Sequence, residues 1–272
     1  MGAPSPDAVL FASYGTTHAD QREASLMPVA AALHEAFPDA IVAQGYTSAK
    51  VLRALRARGE AADDVDAALE SLAAAGAREV LVQPGHVVAG EAFAQVRGAV
   101  ERARAAGAFR RVELGAPLLS SAVDVQDVAA ALGTAHPRRR GSTVLVVGHG
   151  ADEIAGLPYA ALGYCFWEQG RDDVATAAMH GYPGLDAAAR LLARRVGRDT
   201  DFAAARRVEI VPLMLTAGSH ARRDLAGADA RSWASLLRAK GYVVEGRLEG
   251  LGAVRGVVSV YVDHARRAWG TR

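Results

Sequence analysis

Eight short apolar runs punctuate this chain, beginning near Val9, Ile41, Val80 and Val112, and again near Val144, Val174, Val208 and Val243. Between them lie longer Ala-, Leu- and Arg-rich stretches whose apolar residues recur at helical period, as in Ala61–Ala75, Phe93–Ala106, Leu185–Val196 and Ser232–Lys240. Strand-length runs alternating with helix-length segments predict parallel βα units, because a parallel pair needs a crossover long enough for a helix. Asp63-Asp64 near the start of the first stretch and Gly76 behind it provide the negative helix start and the permissive helix end.

The pattern occurs twice. Phe11-Ala12-Ser13-Tyr14-Gly15-Thr16 parallels Val146-Val147-Gly148-His149-Gly150-Ala151, and Gly45-Tyr46-Thr47-Ser48 parallels Gly181-Tyr182-Pro183-Gly184. Val88-Ala89-Gly90-Glu91-Ala92 likewise parallels Thr216-Ala217-Gly218-Ser219-His220 at a similar offset. The expectation is an α/β protein of two similar halves, 1–136 and 142–272, each a parallel four-stranded sheet flanked by helices. The join is Ala135-His136-Pro137-Arg138-Arg139-Arg140-Gly141, a Pro, a basic run and a Gly between two periodic regions.

Composition narrows the function classes. A chain of 272 residues with 51% hydrophobic and 22% charged residues has the makings of a folded core and is not disordered. Its net charge of +1 leaves no electrostatic footprint for nucleic acid, so the three arginines are read as a solvated linker. One cysteine, Cys165, excludes a disulfide framework and a multi-cysteine metal site. The first ten residues carry no basic, apolar leader pattern, and no segment reaches the roughly 18 apolar residues of a membrane span. The expected protein is cytoplasmic, without membrane partners, and assembly into a homo-oligomer is left open. No G-x-G-x-x-G follows the first strand and no phosphate-cradling G-x-x-x-x-G-K-[ST] is present, so neither a nucleotide nor an organic cofactor is expected.

The chemistry sits where apolar runs end, since open α/β folds place sites at the carboxyl ends of their strands. His149, between Gly148 and Gly150, follows the run Thr143–Val147; the alternative role is a loop histidine at a helix end. His220 follows Ala217-Gly218-Ser219, and Asp224 stands four residues on, where a carboxylate can accept the far ring N–H. The plainer alternative is an exposed histidine paired with that aspartate. His180 also ends a strand-like run, and three such imidazoles would make an open, nitrogen-rich site for a divalent metal. Under the internal repeat, Tyr14 and Ala92 stand opposite His149 and His220, so metal ligands survive in one half only. Such asymmetry implies a cleft with one wall for metal and one for substrate. The substrate candidates are Tyr14, Gly15, Thr16, Tyr46, Thr47, Ser48, His86, Gly90 and Glu91. His18, His34, His136 and His264 fall in helical or linker sequence and are expected to be solvated, while Trp233 and Met214 are expected in the core.

These segments, with Gly115-Ala116-Pro117-Leu118-Leu119-Ser120-Ser121 and the block from Pro212 to Trp233, resemble the CbiK-type sirohydrochlorin cobaltochelatases, members of the class II chelatases. The resemblance runs in order over nearly the whole chain. It implies two α/β halves with a cleft between them and ATP-independent insertion of Co²⁺ into sirohydrochlorin, in anaerobic cobalamin biosynthesis. It implies that His149 and His220 are the metal-binding, catalytic histidines. The chain departs from the family pattern in carrying His180 where a Glu usually precedes G-Y-P, and Ala92 where an acid is common. Ser219 and Arg223 also replace a common Asp and Asn. The alternatives are a chelatase for another metal or ring (Fe²⁺ or Ni²⁺ into sirohydrochlorin, or a ferrochelatase) and a metal- or tetrapyrrole-binding protein without turnover.

Overall fold

A computed structural model describes residues 5–151, 153–196 and 206–271. The eight apolar runs are eight strands: β1 Ala8–Ser13, β2 Ile41–Tyr46, β3 Glu79–Pro84, β4 Arg111–Leu114, β5 Ser142–Gly150, β6 Val174–His180, β7 Arg207–Leu213 and β8 Val243–Gly246. The helices are α1 Ala19–Gln21, α2 Met27–Ala36, α3 Ala49–Arg56, α4 Val65–Ala74, α5 Glu91–Ala105, α6 Ala122–Ala135, α7 Leu157–Glu168, α8 Leu185–Val196, α9 Trp233–Ala239 and α10 Arg255–Trp269.

All pairings within the two sheets are parallel, in the orders β2-β1-β3-β4 and β6-β5-β7-β8. The same order in both sheets matches the repeat read in the sequence. The central strands are apolar on both faces, as helix-covered parallel strands must be: all six residues of β1 are buried. Helix starts are set by short polar side chains. Asp64 accepts from Ala67 N (2.9 Å), Ser121 from Asp124 N (3.2 Å) and Ser232 from Ser235 N (3.1 Å). Gly76 ends the α4 segment in the left-handed region, φ 92°.

The chain forms two compact units, one of Met1–Ser120 with Val258–Arg272 and one of Ser121–Val257. This differs from the expected halves at 1–136 and 142–272. The 137–141 segment does connect α6 to β5, but both elements belong to the second unit, and α10 is divided at Val257. Each unit has its own core. The first is built on Leu10, Val80, Val82, Leu69 and Val96, and the second on Leu145, Val147, Ile210, Leu237 and Trp233. Met214 packs against the second core.

Two histidines expected in solvent are buried instead. His136 is held with Glu209 (Nδ1 to Oε1, 3.2 Å), and His264 is set against Ala116 O (3.0 Å). Their partners lie far along the chain, beyond the reach of local pattern. His34 is exposed and His18 partly so. No described helix is long and apolar enough to cross a membrane.

Candidate metal centre and substrate-binding residues

In the second unit, three histidines expected as ligands come together. β5 delivers His149, β6 ends in His180 with Gly150 as its register partner, and His220 opens a wide turn over Ala221–Leu225. The ring centroids of His149 and His180 are 5.0 Å apart, and those of His149 and His220 5.3 Å. Two imidazoles bound to one ion at about 2.0–2.1 Å and a near-tetrahedral angle hold their centroids roughly 5 Å apart. The spacing therefore suits shared coordination. The rings are tilted and edge-on to one another (55° and 86°), and no three His, Cys, Asp or Glu side chains among the described residues are yet arranged to hold an ion.

Glycine makes this approach possible. A Cβ on Gly148 would lie 2.0 Å from the Tyr159 ring, and one on Gly150, at φ 95°, would lie 1.9 Å from His180 O. Only a glycine pair lets β5 run this close to Tyr159 and β6 while still presenting His149 between them. Tyr159 is the site's unforeseen member: a fully packed ring beneath the loop, whose hydroxyl burial pushes up to about 12. No motif signals it; the tight Gly148 is its only trace in the sequence.

The imidazole of His149 has its pKa lowered by partial burial, and further by the neighbouring His220 and His180. It is thus kept in the neutral, ligating form. His220 is oriented by Asp224, as the four-residue spacing suggested, with Nδ1 3.0 Å from Oδ2. That contact leaves Nε2 for a ligand. Asp224 is itself gripped by Arg223 through two hydrogen bonds (2.6 and 3.1 Å), which with His220 hold its carboxyl below the usual carboxylate range.

The first unit holds the residues expected to meet substrate. Tyr14 is half exposed at the end of β1, and Gly15 turns at φ 81° with no room for a Cβ against Tyr46. Thr16 is buried, its hydroxyl accepting from His18 N (3.2 Å). Tyr46 donates to Gln44 (3.2 Å), and Ser48 caps α3 by accepting from Val51 N (3.3 Å). Tyr46 and Thr47 line a cavity of about 260 Å³ with Asp64, Asp66, Gln95 and Arg102. His86 is buried, with Nε2 3.3 Å from the Thr47 hydroxyl and Nδ1 unpaired, and burial pushes its pKa down to about 4. Gly90 and exposed Glu91 start α5. Tyr14 and Glu91 are therefore the most open of the set, while Thr16, Ser48 and His86 are tied into the framework.

Residues 7–269 match the model of the cobalt chelatase family CbiK. The chain is 32% identical over 263 residues to a sirohydrochlorin cobaltochelatase of Salmonella typhimurium, covering 96% of each. It is 29% identical to the sirohydrochlorin cobaltochelatase CbiKC of Nitratidesulfovibrio vulgaris, covering 96% of this chain and 89% of that one. Among solved structures it shares its fold with SirB from Bacillus subtilis with Fe³⁺ (TM-score 0.64, 12% identity, 96% and 94% covered). It shares it also with CbiX, the terminal enzyme of siroheme biosynthesis in denitrifying bacteria (TM-score 0.52, 18% identity, 96% and 99% covered). With a family match spanning both units and the histidine cluster set at the ends of its strands, the chain belongs to the CbiK cobalt chelatase family.

Proposed function

We propose that this chain inserts Co²⁺ into sirohydrochlorin, exchanging the ion for the two pyrrole protons of the ring. The observation that carries the reading is the gathering of His180 and His220 about His149, each at a ring spacing that suits an ion shared with His149. Cobalt is substrate here. His149 and His220 receive it, His220 through Nε2 because Asp224 occupies Nδ1, and His180 supplies a third nitrogen. The ion needs to be held loosely enough to leave, and an open three-nitrogen set at an exposed rim meets that need better than a closed cage. As the macrocycle takes the metal, a released histidine is a ready acceptor for a pyrrole proton. The exposed residues Tyr14 and Glu91 of the first unit are assigned to the tetrapyrrole.

A second reading, Ni²⁺ as the inserted ion, has one observation behind it: the third side chain, His180, is an imidazole and not a carboxylate. Nitrogen ligands suit nickel as well as cobalt, and divalent affinity rises from Co²⁺ to Ni²⁺ for a given donor set. Anaerobic turnover of sirohydrochlorin with Co²⁺, Ni²⁺ and Fe²⁺ side by side tests both. Cobalt turnover that disappears in His149→Ala and His220→Ala is expected. Full activity in both variants would remove the site assignment, and activity with nickel alone would replace the metal.

A further inference from the structure

β6 is an edge strand of the second sheet, with β5 on one side and, among the described residues, no strand on the other. Val144 N–H donates to Asp173 O (2.9 Å), so the backbone of alternate residues Val174, Thr176 and Ala178 turns to the open side. The chain itself closes two of these positions. Arg195 Nη2 donates to Val174 O (2.6 Å), and Ala178 N–H donates to Pro183 O (2.7 Å). Thr176 remains between them, at the floor of an open groove of about 410 Å³ that runs between α7 and α8.

The groove combines exposed aromatic rings with a basic lining. Its rim carries Trp167 and Tyr182, 65% and 68% exposed, together with Leu191. It is also lined by Arg190 and Arg194, which form no salt bridge among the described residues, and by Arg195, whose charge Asp172 and Asp173 partly offset. Arg195 Nη1 is buried without a hydrogen-bond partner, a donor already desolvated and unsatisfied. Added strands are disfavoured, because both ends of the free edge are stoppered and only Thr176 could pair.

We infer that this groove binds a small carboxylate with a flat apolar body. Guanidinium groups present forked donors that match a carboxylate, and exposed aromatic rings accept a flat surface. The volume is that of a small-molecule site. The inference stands apart from the chelatase reading, since none of these residues is assigned to metal or macrocycle.

The test uses the full chain with 2-anthracenecarboxylate as probe and its neutral carboxamide as comparator, followed by fluorescence anisotropy. Saturable binding of one carboxylate is expected, weakened about tenfold in Arg190→Ala/Arg194→Ala, with the carboxamide unaffected by those changes. Trp167→Ala should weaken both probes. Both arginines are solvent-exposed, so the double variant should keep the wild-type melting curve and cobalt insertion rate. A milder variant, Arg194→Gln, should fall between it and the parent. Absence of saturable binding, or equal affinity of the carboxylate for parent and double variant, would overturn the inference.

Discussion

His149 and His220 have the same side chain and different surroundings, and the difference sets what each can do. His149 is kept neutral by partial burial and by two neighbouring imidazoles, whereas His220 is steered by a carboxylate that Arg223 holds in turn. Replacing Asp224 with Asn should leave the His220 ring in place but remove the carboxylate that fixes its orientation. Co²⁺ affinity measured by calorimetry should fall about 10- to 100-fold. Protons compete with cobalt for these nitrogens, so affinity should decline as pH drops. Because the pKa of His149 is lowered, its own loss should begin below the ordinary imidazole value of 6.5 rather than at it. Cobalt titrations from pH 8 down to pH 5 would show this. His86 provides a separate signature in stability. Its folded pKa of about 4 lies below the unfolded value of 6.5, so its stabilisation is complete above pH 6.5 and is lost as pH falls toward 4. Between pH 7 and pH 5 the linkage amounts to about 2 kcal/mol, read by urea denaturation, and His86→Gln should remove that part of the pH dependence.

At the scale of elements, the site depends on how closely β5 can pass its neighbours. Gly150→Ala places a Cβ on a left-handed backbone and against the carbonyl of His180. It should cost about 1–3 kcal/mol in strain alone and displace His149, lowering both the melting temperature and cobalt affinity. Gly59→Ala is the matched control, with a similar φ of 74° and open space around it. It should lower stability without touching cobalt binding. The elements themselves were largely legible in the sequence: all eight strands begin within two residues of the apolar runs that announced them, and α8 spans Leu185–Val196 as its periodicity suggested. Asp224 was legible too, because a four-residue spacing is a local rule. Tyr159, the buried His136 and the buried His264 were not, since each is fixed by a partner distant along the chain, and periodicity carries no information about such partners.

For the molecule as a whole, the proposed duties divide between the two units. The three histidines and Asp224 all lie in Ser121–Val257, and the tetrapyrrole candidates lie in the other unit. Two functions should therefore separate on mutation. His220→Ala should abolish measurable cobalt binding while leaving sirohydrochlorin affinity intact. A Tyr14→Ala/Glu91→Ala variant should do the reverse, as judged by metal calorimetry against tetrapyrrole absorbance titration. One outcome, loss of both affinities in either variant, would show that the duties are not divided in this way. The unit boundary escaped the sequence reading for a plain reason: Pro137 and three arginines look like a hinge, yet Arg138 and Arg139 are tied to Asp172 and Glu209 of their own unit.

The first unit is not continuous in the chain. It needs its final segment: Tyr261 donates to Gly85 O (3.0 Å), His264 meets Ala116 O, and Arg111 lies over the Trp269 ring, 3.8 Å from its centre. On the ribosome the order of completion is thus inverted. The portion translated first must wait, with its last helix still unmade, while the later portion already has all its residues. A chain stopped after Val257 would finish the unit that carries the three histidines and leave its elder neighbour open.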